Sequence, residues 1–294
     1  MERFKGITSG AAQSIAALQF ILSHPLNRGK PLSAIGRFVG WQVASRLRAE
    51  IEFQWIDGAK LIVSRGMTGA TGNIYCGLHE FVEMSFLLHL LRPNDLFLDV
   101  GANVGSYTIL AARVCKARTI AFEPDPDAAR VLRRNIAINH LNGLACVRET
   151  ALGGAHGEIA FTVGLDTMNR VARPDDEAVQ VVPIRRLDDI PDAAAPTLIK
   201  LDVEGFEEQV LSGASRALSA SSLLAVQSEL CSPMVRDTLQ SFGFERQFYN
   251  PFTRRLSPEP FSYRTSNALF VRRTELVTER VVAAPLRIVS RKAL

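Results

Sequence analysis

The sequence predicts an α/β chain built on a doubly wound, mostly parallel sheet, preceded by a helical and hairpin extension. Three observations carry that prediction. From residue 78 onward, short apolar runs alternate with helical stretches, the order that covers both faces of parallel strands with helices. The run Leu96-Phe-Leu-Asp-Val100 is nearly all apolar, as a strand buried on both sides is. The chain then turns through a glycine loop directly into a helix. With 294 residues, 47% hydrophobic and 22% charged, there is material for one large domain and an extension.

The elements follow in order. Residues 1 to about 50 read as helical, broken at Asn27-Arg28-Gly29-Lys30-Pro31. The apolar stretch Ile15 to Leu22 follows Arg3 and Lys5. Gln19 interrupts it and Ser23-His24-Pro25 is no small-residue cleavage site, so it reads as a short helix rather than a leader. A protein contact or an oligomer interface is expected within residues 1–50. Ile51 to Ile56, the turn Asp57-Gly58 and Leu61 to Val63 predict a β-hairpin. Gly66 to Gly72, rich in glycine and threonine, predicts a loop.

Leu78 to Leu91 predicts a helix with one apolar face, ended by Pro93, and Ser106 to Lys116 another. Thr119 to Phe122 is the second core strand; Pro126 suits a first helical turn and opens a helix to about His140. Leu144 to Arg148 is the third strand, and Ile159 to Val163 with Gln180 to Ile184 read as an added hairpin. Thr197 to Asp202, a helix from Phe206, and Ser222 to Leu230 continue the alternation. Phe244 to Tyr249 and Ala268 to Arg272 lack a helix between them, so one runs antiparallel. The expected divisions are 1–74 for the extension, 75–275 for the main domain and 276–294 for a basic tail.

Composition removes several function classes. Net charge is +4 and the basic residues are dispersed, whereas phosphate backbones call for a concentrated patch; no nucleic-acid partner is expected. Aromatics are too sparse to stack on unpaired bases. Cys76, Cys115, Cys146 and Cys231 show no metal-site spacing, which predicts reduced, buried thiols and a cytoplasmic setting. No apolar run reaches the length of a transmembrane segment.

In a doubly wound sheet, ligands bind beyond the carboxyl ends of the strands. Asp99-Val-Gly-Ala-Asn-Val-Gly105 sits at such an end. Gly101 permits the turn and Gly105 permits close packing at the helix start. Glu123 ends the next strand, where a carboxylate can accept both hydroxyls of a ribose. Loop plus acid describes a nucleoside site without saying which nucleoside. A nicotinamide cofactor calls for G-x-G-x-x-G, whose middle glycine makes room for pyrophosphate. Asn103 stands between Gly101 and Gly105 instead, and the nearby acids suit a cation better than a pyrophosphate.

On these residues the chain resembles the FkbM family of S-adenosylmethionine-dependent methyltransferases. The matching segments are Phe97 to Thr108, Phe122-Glu-Pro-Asp-Pro126 with Asn135 and Asn139, and Ile199 to Glu207. Ala151-Leu-Gly153, Leu187-Asp188 and Asn267 to Phe270 support them, and the resemblance covers about residues 75–273. It implies a Rossmann-like class I methyltransferase fold, a seven-stranded sheet with an antiparallel last strand. It also implies S-adenosyl-L-methionine as cofactor. Asp99, Gly101, Ala102, Asn103 and Gly105 would surround its methionine part, Glu123 its ribose, Pro124 and Asp125 one side of the adenine, and Thr150 and Ala151 the other.

Methyl transfer is an in-line displacement, so much of catalysis is positioning, and a hydroxyl acceptor must also lose a proton. Asp202 ends the fourth strand, Glu204 follows two residues later, and Glu229 ends the fifth, so the three acids should converge beside the cofactor loop. Asp202 is the first candidate at the methyl group and also a cofactor contact; Glu204 and Glu229 are candidates for acceptor binding or base. Each has a plainer reading, as helix cap, turn ligand or ion-pair partner. A divalent ion among them is conceivable, because hard cations take oxygen ligands, but no metal is expected. Glu80, with His79 at the start of the helix before the cofactor strand, can reach over the donor. His24, His89, His140 and His156 are expected on the surface or in helices. Lys200 is expected to point outward to an acid. The aromatics Phe81, Phe86, Phe206 and Phe261 are expected in the core or pocket wall, and Gly164 to Asn169 in the acceptor pocket.

The expected function is O-methylation of a hydroxyl on a sugar, polysaccharide or small molecule. A nicotinamide-dependent oxidoreductase and a non-catalytic binding module are the alternatives.

Overall fold

Residues 15–162, 169–173, 175–176, 178–263, 265 and 267–294 are described in a computed structural model. Helix α1 covers residues 15–23 and α2 covers Pro31–Leu47. Strands β1 (Glu50–Gln54) and β2 (Lys60–Ser64) pair antiparallel as the expected hairpin. Asp57 and Gly58 both take positive φ at its turn, as tight hairpins require.

The expected loop at Gly66–Gly72 is instead the start of a helix, α3 (Thr68–Cys76). Packing overrides the local preference of its glycines. Asn73 donates to Ser106 Oγ at 3.1 Å and accepts from the His79 amide at 2.8 Å. Gly72 lies so close to the His79 ring that a Cβ there would sit 2.1 Å from Nδ1. The segment is poor in local helix signals because it is shaped for close approach.

Helix α4 (Phe81–Leu90) departs from the expected single apolar face: all ten residues are buried. Two of its polar members find partners inside the core. His89 Nδ1 lies 2.6 Å from Tyr249 Oη, and Glu83 accepts from the Asn267 amide at 3.1 Å. Strand β3 (Leu96–Val100) is followed by α5 (Ser106–Ile109), which runs into a wider π turn, Leu110–Val114. Then come β4 (Arg118–Phe122), α6 (Pro126–Ile138), β5 (Ala145–Arg148) and β6 (Ala151–Leu152). The anticipated added hairpin is β7 (Gly157–Thr162) against β8 (Val179–Arg185), and β6 completes a small three-stranded sheet with them.

Strand β9 (Leu198–Leu201), helices α7 (Glu207–Ser212) and α8 (Ser215–Ser219), β10 (Ala225–Ser228) and α9 (Pro233–Ser241) extend the alternation. Strands β11 (Glu245–Asn250), β12 (Arg255–Ser257) and β13 (Ala268–Val271) close the main sheet. Its order is β12-β11-β13-β10-β9-β3-β4-β5. The last strand, β13, inserts antiparallel between β10 and β11. This is the seven-stranded arrangement with an antiparallel last strand, plus one short edge strand, β12. Helix α10 (Thr274–Val282) and the pair β14 (Ile288–Val289) and β15 (Lys292–Ala293) follow, with Val289 and Leu294 buried.

Apolar cores fill both faces of the sheet. One joins α4, α5 and α6 to the extension; the other lies under α7, α8 and α9. Two side-chain placements differ from expectation. Cys76 and Cys115 are buried, but Cys146 is exposed and Cys231 partly so, although all four are free thiols. His24 is buried just after α1, where burial pulls its pKa down to about 4; His89 lies in a helix, as expected, and is buried within α4.

Candidate functional site

Strands β3, β4 and β9 lie side by side in parallel, with Val100 level with Phe122 and Leu201. Their following loops therefore emerge at one edge of the sheet. The amides of Gly101 and Ala102 both donate to the Phe122 carbonyl at 3.0 Å, which folds the first loop over the second strand. Gly101 has φ +79°, and a Cβ there would fall 1.8 Å from the Asp202 carbonyl oxygen. Only glycine lets these two loops touch.

Between the loops is a cleft. Every sequence-derived cofactor candidate lines it: Glu80, Asp99, Gly101, Ala102, Asn103, Gly105, Glu123, Pro124, Asp125, Thr150, Ala151 and Asp202. Glu204 lines it as well, whereas Glu229 stands outside the lining. The Glu123 carboxylate is anchored by two backbone donors, Asn103 N at 2.7 Å and Asp125 N at 2.9 Å. Burial outweighs those bonds and raises its pKa to about 7. Asp125 caps α6 through the Asp127 amide, and Asn169 donates to its other oxygen at 2.6 Å. Residues 164–168 of the expected acceptor stretch lie outside the described residues.

Lys200 belongs to the cleft rather than to the outer surface. It is 2% exposed, pairs with Asp202 Oδ2 and sits 4.5 Å from the centre of the Tyr107 ring. Burial works against its charge, but Asp202, Glu80 and Asp99 together hold its pKa above the ordinary lysine value. Asp99 is fully enclosed and accepts from Thr108 Oγ1 at 2.6 Å; burial raises its pKa against the pull of Lys200. Tyr107 is buried beside Glu80 and Glu83, and burial with those two acids pushes its hydroxyl pKa well up.

The three catalytic candidates do converge. Asp202, Glu204 and Glu229 each offer a carboxylate oxygen within 4.8 Å of the others. Glu204 holds φ +53° in the turn after β9, and Glu229 follows the end of β10. Burial and the charges of Asp202 and Glu204 push Glu229 up to about 8; burial and Asp202 also raise Glu204. Burial lowers the His79 pKa, so this lining residue is neutral at pH 7. His156 is at the surface, paired with Asp189. Phe81 and Phe86 are core, and Phe206 is cleft wall.

Two contributions escaped the sequence reading. Met67, Gly69 and Ala70 of the extension form one wall of the cleft, and Lys200 with Tyr107 forms its floor. The tyrosine lies within a segment already singled out, beside Gly105, but nothing in its spacing marks it as the partner of a lysine in another strand.

The chain is similar to known methyltransferases. The Methyltransferase FkbM domain family matches residues 99–251, a little over half the chain. Hexuronic acid methyltransferase AglP of Haloferax volcanii is 26% identical over 144 residues, covering 48% of this chain and 59% of its own length. The 31-O-demethyl-FK506 methyltransferase FkbM of Streptomyces tacrolimicus is 31% identical over 173 residues, covering 47% and 66%. The matched region thus spans about three fifths of the first of these relatives. Among solved structures, P. horikoshii TYW2 in complex with MeSAdo is similar at TM-score 0.44 and 14% identity, over 76% of this chain and 71% of that one. With the family match resting on the segment that builds the cleft, the chain belongs to the FkbM family of S-adenosylmethionine-dependent methyltransferases.

Proposed function

We propose that the protein transfers a methyl group from S-adenosyl-L-methionine to a hydroxyl of a sugar or a small molecule. The observation that carries the reading is the charge balance of the cleft. Glu80, Asp99, Glu123, Asp202 and Glu204 face it, with Lys200 as the fixed cation among the described lining residues. Such a donor set fits a ligand bearing an ammonium and a sulfonium and opposes a pyrophosphate. Glu123, buried and held near pH 7, gains further donors when two ribose hydroxyls approach it. These features support the cofactor contacts that the family resemblance implies for Asp99 to Gly105, Glu123 to Asp125, Thr150 and Ala151.

The bound donor supplies an activated methyl group; the chain supplies position and proton acceptance. Asp202 lines the cleft and is held there by Lys200 through one oxygen. Glu229 and Glu204 face Asp202 from the acceptor side, and their raised affinities suit taking a hydroxyl proton near neutral pH. The acceptor class follows the relatives named for hexuronic acid and for 31-O-demethyl-FK506, and the FkbM family match. Calorimetric titration with S-adenosylmethionine and with NAD tests the cofactor; binding of NAD alone would sink the reading. Mass spectrometry of surface glycans and metabolites from a deletion strain tests the acceptor, with a compound lacking one methyl as the expected result.

A further inference from the structure

The outward side of α2 is apolar. Leu32, Val39, Val43 and Leu47 are 83%, 51%, 55% and 79% exposed. Gly36 and Gly40 between them open onto free space. Ile15, Phe20 and Leu22 of α1 add to the same extension. Of the fifteen exposed large apolar side chains among the described residues, seven fall within residues 15–47, which is concentration rather than ordinary scatter.

The same segment is basic. Residues 1–48 contain seven Lys and Arg against the single acid Glu2, although the whole chain carries only +4. Arg28 and Lys30 stand at the amino end of α2 and are joined there by the carboxyl-terminal hairpin: Lys30 donates to the Arg291 carbonyl at 3.2 Å and Lys292 to the Pro25 carbonyl at 2.6 Å. Burial, then repulsion from Lys30 and Arg28, holds the Lys292 pKa below its ordinary value. Arg46 and Arg48 mark the other end, and α2 itself contains no acid.

We infer that this face docks on an anionic phospholipid surface, with α2 in the headgroup plane, its apolar side sunk and its cationic ends on phosphates. Charge decides between this occupant and a second copy of the chain. Both ends of α2 are cationic, so packing it on itself brings like charges together in either orientation. An anionic bilayer satisfies both ends at once. The Phe20 ring also lies 5.2 Å from that of His79, which lines the cleft, so a surface that engages α1 meets the cleft's edge.

Sedimentation of the full-length protein with vesicles tests the inference. Vesicles of phosphatidylglycerol and phosphatidylcholine should carry the protein down at low salt, and phosphatidylcholine alone should not. Combining Leu32→Asn, Val39→Asn and Val43→Asn, all at exposed positions, should weaken binding about tenfold or more, as should Arg46→Glu with Arg48→Glu. Circular dichroism confirms that each variant is folded. Absence of sedimentation with the anionic vesicles overturns the inference, as does undiminished binding by both variants. A dimer in ultracentrifugation that Val39→Asn dissolves also overturns it, by assigning the face to a second copy. Vesicle binding is read without methyl transfer, so its outcome is separate from that of the proposed activity.

Discussion

Replacing Lys200 by methionine keeps most of the stem's volume and removes the ammonium that three carboxylates surround. Lys200 is 2% exposed and pairs with Asp202, while Asp99 is wholly enclosed nearby. Taking one partner from a buried charge pair costs about 3–5 kcal/mol, because the remaining charge stays desolvated without compensation. The loss depends on pH in a determined direction. Burial already raises Asp99 above its ordinary 3.8, and Lys200 is the strongest influence opposing that rise. Without Lys200 the folded-state value climbs further. A carboxyl whose folded pKa is raised contributes stability below its unfolded value and loses it as pH rises through the folded value. The penalty in Lys200→Met should therefore be larger at pH 8 than at pH 5. Urea unfolding at both values measures it. A loss below about 1 kcal/mol at pH 8, or one equal at both pH values, would refute the charge argument.

Glu123→Gln should weaken S-adenosylmethionine binding by about 10- to 100-fold, since charge-assisted hydrogen bonds contribute about 1.5–3 kcal/mol; calorimetry reads the affinity. If Glu229 accepts the proton, kcat/KM should rise with pH through an apparent value near 8, the value to which burial and Asp202 push it. Glu229→Gln should flatten that profile and lower kcat by about 10²- to 10⁴-fold. Gly101→Ala should lose cofactor binding and about 1–3 kcal/mol of stability, because the new methyl meets the Asp202 carbonyl; wild-type affinity in that variant counts against the touching loops. Activity should survive chelation by EDTA, and a loss restored by magnesium would reassign the Asp202, Glu204 and Glu229 trio to metal binding.

The parts of the site legible in the sequence are those fixed by strand ends. Asp99, Glu123, Asp202 and Glu229 all follow from where apolar runs stop, because parallel strands deliver their carboxyl ends to one edge. What stayed hidden depends on contacts between distant segments. The α3 wall looked like a loop because the glycine at 72, which reads locally as a breaker, is there to receive the His79 ring. Helix α4 looked amphipathic because Glu83, Ser85 and His89 count as polar, yet each lies in the core. Their burial depends on β10, β11 and the segment before β13, more than 100 residues away.

Asn135 and Asn139, noted in the sequence only as part of a family pattern, have a structural consequence of their own. Asn139 accepts from the Lys60 amide and donates to the Lys60 carbonyl, and Asn135 accepts from the Ile62 amide. Two side-chain amides, one on α6 and one at its carboxyl cap, thus imitate a neighbouring strand and seal the open margin of β2, which would otherwise invite pairing with another chain. Asn135 also donates through Nδ2 to the Val104 carbonyl, inside the glycine loop. One side chain therefore fastens the hairpin of the extension to the glycine loop of the cleft, and its loss would loosen both at once.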